Sequence, residues 1–182
     1  MENTKATTRT KMRDLQQYAN ECKRELDAIG IPYNTAAEFT INTRAKSRWG
    51  QARKTPDGYK INISAVLLDE RNAAEGLKNT IIHELLHTCR GCMDHGKKWK
   101  EYAARVRAAY GYNIKRTSNG AEKGLCAECI AENAEAHNTP PKYVFRCMGC
   151  GQIITRKKAS DFVTNTERYR CGICHGKFDR IG

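Results

Sequence analysis

The segment His83-Glu84-Leu85-Leu86-His87, with His95 eight residues further on, constrains this chain more than any other feature. Positions i and i+4 of a helix share a face, so on a helix His83 and His87 can bind one metal ion. Glu84 then lies about 100° further round, where its carboxylate can reach a water on the metal rather than the metal itself. A catalytic zinc needs three protein ligands and an open fourth position, and His95 is the candidate third ligand. The seven residues between contain Gly91, which suits a chain that leaves the helix and turns back. A shuffled chain of this composition would contain the pentapeptide with a probability of roughly one in a hundred, so chance explains it poorly. Leu77, Ile81, Ile82, Leu85 and Leu86 add an apolar face at helical spacing, as a buried helix requires.

Nine cysteines would suit either disulfides or metal sites, but eight of them form Cys-x-x-Cys pairs: Cys89/Cys92, Cys126/Cys129, Cys147/Cys150 and Cys171/Cys174. Random placement would give about 0.4 such pairs, so the spacing has a cause, and thiolate ligation of zinc in a reducing compartment supplies one. The last two pairs stand twenty residues apart, each follows an aromatic, strand-like segment (Tyr143-Val144-Phe145 and Tyr169-Arg170), and each has glycine in or after it. This spacing matches a zinc ribbon, with Cys147, Cys150, Cys171 and Cys174 around one structural Zn2+. The other four, Cys89, Cys92, Cys126 and Cys129, can be read as a second structural zinc site clamping the loop after the helix, or as free thiols. A redox switch at Cys89/Cys92 is a further reading.

The net charge of +12 implies an acidic partner, nucleic acid being the commonest, or else serves solubility. Residues 97–116 hold seven Lys or Arg against Glu101, and residues 138–182 hold nine against three acids, whereas 121–137 is acidic. In the distal region Arg156, Lys157, Lys158, Arg168 and Arg170 are candidate DNA-phosphate contacts. Tyr143, Phe145 and Tyr169 would then either stack on bases or fill the ribbon's core. No apolar run approaches the length of a membrane span, and residues 1–9 are polar, unlike a signal peptide. A soluble, cytoplasmic protein without membrane association is expected.

Along the chain, residues 1–9 read as a disordered tail. From Thr10, a candidate N-cap, Met12, Leu15, Tyr18, Ala19, Cys22, Leu26 and Ile29 follow a helical period that Gly30 and Pro32 stop. Cys22 falls on the buried face as core packing. Phe39 and Ile41 suggest a short strand. Ala45–Arg53 and Tyr59–Ser64 suggest a hairpin turning at Thr55-Pro56-Asp57-Gly58. The metal-site helix should run from Asn72 to Thr88, capped by Asp69 or Asn72. A further helix with Trp99, Tyr102, Ala103, Val106 and Tyr110 inward should end near Gly111 and turn Lys97, Lys98, Lys100, Arg105 and Arg107 outward. Residues 121–141 read as a linker, helical or loose, ending at Pro140-Pro141.

In this order, Arg48-Trp49-Gly50, Ile61-Asn62-Ile63-Ser64, His83-Glu84-Leu85-Leu86-His87, His95-Gly96-x-x-Trp99 and the distal ribbon resemble the SprT-like family of zinc metallopeptidases, with kinship to the YgjP-like group. The likeness spans roughly residues 10–182. It implies an α+β, minimal zincin-like protease domain over residues 10–120, built of an N-terminal helix, a β-hairpin sheet, the histidine helix and a following helix, with a zinc ribbon at 142–182. By position it implies His83, His87 and His95 as ligands of the catalytic Zn2+ and Glu84 as general base. Spartan-type relatives degrade proteins crosslinked to DNA, which gives an expectation of a protein substrate handled on DNA. Tyr102, Tyr110 and Tyr112 are candidates for a donor to the reaction's oxyanion. The competing class is a non-enzymatic adaptor whose metal sites are structural. Against it stands Glu84, for which a structural three-histidine site has no use.

Overall fold

A computed structural model describes residues 11–45, 48–137 and 140–182; the expected disordered tail, 1–9, lies outside them, as does Thr10. The chain divides into two compact units, with the break between Asn133 and Ala134.

In the first unit, helix α1 spans Leu15–Ala28 and begins later than its apolar period suggests. Asp14 is the N-cap, its side chain accepting from the backbone N–H groups of Gln16 and Gln17. Met12, counted with the helix from sequence, instead forms a bridge with Asp69 and is exposed. Leu15, Ala19, Cys22 and Leu26 form the buried face, Cys22 among them as expected. Strands β1 (Ala37–Asn42), β2 (Gly50–Thr55) and β3 (Gly58–Ser64) make a sheet in the order β1-β3-β2. The hairpin turns through Pro56 and Asp57, β2 pairing antiparallel with β3, while β1 lies parallel to β3 on its other side. The central strand therefore supplies the fully buried Ile61 and Ile63.

Helix α2, Ala74–His87, lies at the centre of the unit and buries ten of its fourteen residues. Its start differs from the sequence expectation. Ala73 stands at the cap without a side-chain bond. Asn72 uses its amide on the Val66 carbonyl (2.7 Å) and the Cys126 N–H (2.9 Å), and Asp69 is bonded to Arg71. Helix α3, Lys97–Tyr110, buries Trp99, Tyr102, Ala103 and Val106 and ends at Gly111, whose φ of 74° suits a left-handed cap. Lys97, Lys98, Lys100, Arg105 and Arg107 are exposed, as its pattern predicts.

Residues 121–133, read as part of a linker, belong to the first unit. A 3-10 turn, Ala121–Lys123, and the start of helix α4, Ala127–His137, bring Leu125 and Cys129 into its core. The turn lies so close to α2 that a Cβ on Gly76 would sit 1.9 Å from the Lys123 carbonyl oxygen. Glycine at 76 is what permits this approach.

The second unit has the sheet order β5-β4-β6, from β4 (Tyr143–Cys147), β5 (Ile153–Arg156) and β6 (Phe178–Arg180), all antiparallel. A short helix α5, Asp161–Thr164, places Phe162 against Phe145, Tyr169 and Phe178 with ring centroids 4.9, 5.2 and 5.4 Å away. The segment before Cys171 is not the strand its aromatic residue suggested. It is a 3-10 turn, Thr166–Arg168, and the third strand comes after the cysteines instead. Among the described residues no helix is long and apolar enough to cross a membrane.

Candidate metal centre and active site

Helix α2 sets His83 and His87 one turn apart on one face, and the loop into α3 returns His95 to them. The His83 Nε2 lies 3.2 Å from that of His87 and 3.1 Å from that of His95. Two nitrogens bound tetrahedrally to one zinc at its usual bond length stand about 3.3 Å apart, so the three atoms have the spacing of a ligand set. The His87 Nδ1 is 2.8 Å from the Cys92 carbonyl. A carbonyl cannot donate, so that nitrogen carries the proton and Nε2 keeps its lone pair for a metal. Burial, helped by the charges of the other two rings, pushes His83 down to about 3, and burial also lowers His87 and His95. Three largely neutral rings whose Nε2 atoms converge form a group that could hold a metal ion. Trp99 backs all three, its ring centroid 4.9, 5.8 and 4.6 Å from those of His83, His87 and His95.

Glu84 is buried, and its Oε2 accepts the Ala52 N–H of β2 at 2.7 Å. Burial raises its pKa to about 7 against the lowering effect of that bond and of the charges of Lys123 and Arg48. A Cβ on Gly50 would lie 2.5 Å from Glu84 Oε1, so strand and carboxylate fit only with glycine there. His83 and Glu84 line a cleft of about 360 Å3 whose other walls include Arg48, Trp49, Gly50, the loop 115–118 and Lys123. Trp49 holds that loop, its Nε1–H donating to the Ser118 carbonyl at 2.8 Å. Lys123 had no signal of its own in the sequence. It is the buried lysine that the turn after α3 delivers into this cleft, and burial draws its pKa down to about 8.

Two of the three tyrosines considered as donors point elsewhere. The hydroxyls of Tyr110 and Tyr112 are bonded to the Glu25 carbonyl (2.9 Å) and carboxylate (3.0 Å) on α1. Tyr102 is buried under α3 and is not among the residues lining the cleft.

In the second unit the thiols of Cys147, Cys150, Cys171 and Cys174 all lie within 4.8 Å of one another. Cys147 and Cys174 are 3.3 Å apart and Cys150 and Cys171 3.6 Å, near the roughly 3.8 Å of sulfurs sharing a tetrahedral zinc. The two knuckles repeat each other. Gly151 N–H donates to the Cys147 carbonyl and His175 N–H to that of Cys171, with φ of 76° and 56° at the two donors. Gly149 and Gly176 leave room for sulfur, since a Cβ on either would lie 3.0 Å from a cysteine Sγ. The Cys150 N–H, outweighing burial and joined by that of Gly149, draws the Cys147 thiol down to about 6, toward the thiolate a metal needs. This four-thiol group, like the three-histidine group, can bind a metal.

The other cysteine pairs do not combine. Among the described residues, the groups of three or more ligand atoms are the two above, and Cys89, Cys92, Cys126 and Cys129 form none. Cys89 and Cys92 are buried in the core of the first unit, where burial raises the Cys89 thiol to about 12. Cys126 Sγ accepts the Cys129 N–H at 3.2 Å, and the Cys129 thiol points to Asp69 at 3.7 Å. Their spacing, which suggested a clamp, serves two local packing sites. The five basic candidates in the second unit, Arg156, Lys157, Lys158, Arg168 and Arg170, are all exposed. Arg156 lies over the Phe162 ring at 5.1 Å, and Arg170 bonds the carbonyls of Glu167 and Tyr169. Phe145 is buried as core, and Tyr169 gives its hydroxyl to Asp161.

The sequence profile of the SprT-like family matches residues 12–118, which hold the histidines, Glu84 and most of the cleft. The chain belongs to the SprT-like family. Its relatives include the "Protein SprT-like" of Bacillus velezensis, 26% identical over 158 residues that cover 86% of this chain and 90% of that one. The "Protein SprT-like" of Bacillus subtilis is 29% identical over 150 residues, 82% of this chain and 85% of its own. The "Germ cell nuclear acidic-1 protein" of Caenorhabditis elegans is 27% identical over 146 residues, 75% of this chain but 24% of that protein. The SprT-like chain thus spans about a quarter of the nematode relative and most of the bacterial ones.

Proposed function

We propose that this SprT-like protein is a zinc-dependent endopeptidase, with His83, His87 and His95 holding the catalytic metal and Glu84 as general base in a zincin-like arrangement. The observation that carries this reading is the cleft itself, where His83 of the converging nitrogens and the buried carboxylate share one wall. Zinc, when bound, supplies Lewis-acid polarisation of a carbonyl and acidifies water. Glu84 takes the proton of the attacking water. Its Oε2 is anchored to the Ala52 N–H of β2, which fixes the carboxylate in the cleft, and the same group returns the proton to the departing amine. Lys123 and Arg48 favour the ionised carboxylate against its burial. Trp99 fixes the ring orientations and keeps water from the back of the site.

Cys147, Cys150, Cys171 and Cys174 would hold a structural zinc, and the exposed Arg156, Lys157, Lys158, Arg168 and Arg170 would bind DNA phosphates and bring the protease to protein substrates there. A cytoplasmic, reducing setting follows from the need for free thiols. The test is reconstitution. Protein stripped by chelation should lose cleavage of an unstructured protein and regain it with zinc, whereas His87→Ala should not regain it. Zinc uptake and DNA binding with no cleavage in any arm would favour the adaptor.

A further inference from the structure

The cleft beside the histidines carries more positive charge than its own residues balance. Arg48, Lys115, Arg116 and Lys123 line it against Glu84, the one acidic side chain among the described residues of its walls. Lys115 is paired with Glu122 at 2.7 Å, which leaves three cations for one carboxylate. Lys123 is the most constrained of them. It is 8% exposed, and among the described residues its ammonium has no hydrogen bond or ion pair. Burial works against its charge, with Glu84 and Glu122 as its counter-charges. A buried ammonium facing a cleft with no anion in contact is a place where a ligand's anion gains most. The charges of Arg48 and Arg116 also reach the centre, the first acting on Glu84 and the second on His95. Zinc in the site would add to the excess.

We propose that this cleft is a subsite for a carboxylate of the peptide substrate, bound by Lys123 within and by Arg48 and Arg116 at the rim. The proposal rests on the peptidase reading and names the chemistry its substrates share. Guanidinium forks match a carboxylate in two-point contact, and an ammonium adds a point charge. A nucleic-acid strand needs a track of cations extending beyond one cleft, and Glu84 in the wall opposes a polyanion. Two sources supply the carboxylate, an Asp or Glu side chain and a free chain end.

The test titrates labelled peptides against the full chain carrying Glu84→Gln, loaded with zinc, and reads fluorescence anisotropy. The peptides are amidated with Glu, Gln or Lys at one varied position, plus the Gln peptide with a free C-terminal carboxylate. The Glu peptide, the free-carboxylate peptide or both should bind about tenfold tighter than the amidated Gln peptide, and the two arms tell the sources apart. Arg48→Glu and Arg116→Glu, both at exposed positions, should erase that preference, as should Lys123→Met, which keeps the buried stem. Equal affinities, no binding by either carboxylate peptide at about 1 mM, or a preference that survives all three variants would overturn the proposal. So would a short oligonucleotide that displaces the Glu peptide at a concentration below the peptide's own Kd. Incubating the zinc-loaded wild type with a mixed peptide pool separates the two readings. Cleavage without acidic preference removes the subsite and leaves the peptidase, while carboxylate binding without cleavage does the reverse.

Discussion

Gly50 and Glu84 are fitted to each other at the edge of the cleft. The carboxylate fills the space in which any side chain at 50 would have to lie, 2.5 Å from its Oε1. Gly50→Ala should therefore displace the Glu84 carboxylate, the proposed general base, while leaving the histidines in place. The expected result is a fall of at least about tenfold in peptide hydrolysis at unchanged zinc content, measured side by side. Lys123 offers a second check, through proton linkage. Its pKa falls from the usual 10.5 to about 8 on folding, so between those values the unfolded chain binds more protons than the folded one. Stability should then rise with pH from about 8 to 10.5, by a few kcal/mol at most, and Lys123→Met should flatten the rise in denaturant melts of the full chain.

At the level of elements, the turn Ala121–Lys123 is seated on α2 through a glycine contact. Gly76→Ala would drive a methyl group into the Lys123 carbonyl, 1.9 Å from the ideal Cβ position, so the turn must move or the helix must shift. A loss of about 1–3 kcal/mol is expected, with a lower denaturant midpoint, and an unchanged midpoint would show that the contact is not tight. Helices α2 and α3 and the hairpin were legible in the sequence because each carries a strong period and a turn or stop signal. The start of α2 was not. Asn72 is a good capping residue, but tertiary partners at Val66 and Cys126 claim its side chain. The same competition explains Cys126 and Cys129, whose spacing is that of a zinc knuckle while Cys129 is buried beside Asp69. Lys123 was silent because, among 32 Lys and Arg, nothing local marks the one that the turn buries. The two groups that could hold a metal were legible because metal ligation fixes both residue type and spacing, whereas the cleft beside the histidines is assembled from distant segments by packing.

On the scale of the whole molecule, the two units differ in what holds them together. The first has a continuous apolar core that joins α1, α2, α3 and the sheet. The second has a small core around Phe145 and Phe162 beside four thiols that could hold a metal, and a core of that size is expected to need one to offset the ordering of its chain. Chelation should therefore unfold the second unit at temperatures where the first remains folded. Amide exchange should show protection lost over residues 143–182 and kept in α1 and α2, and a second unit still protected after complete metal removal would contradict this. Glu84 separates the two readings of the site, since the histidines alone would suit a structural site as well as a catalytic one. The most direct measurement compares zinc-loaded wild type with Glu84→Gln at equal metal content, identifying the fragments of an unstructured protein by mass spectrometry. The expected result is defined internal cleavages by the wild type, slowed about 10²–10⁴-fold in the variant. Equal cleavage by both proteins, or none by the wild type, would contradict it.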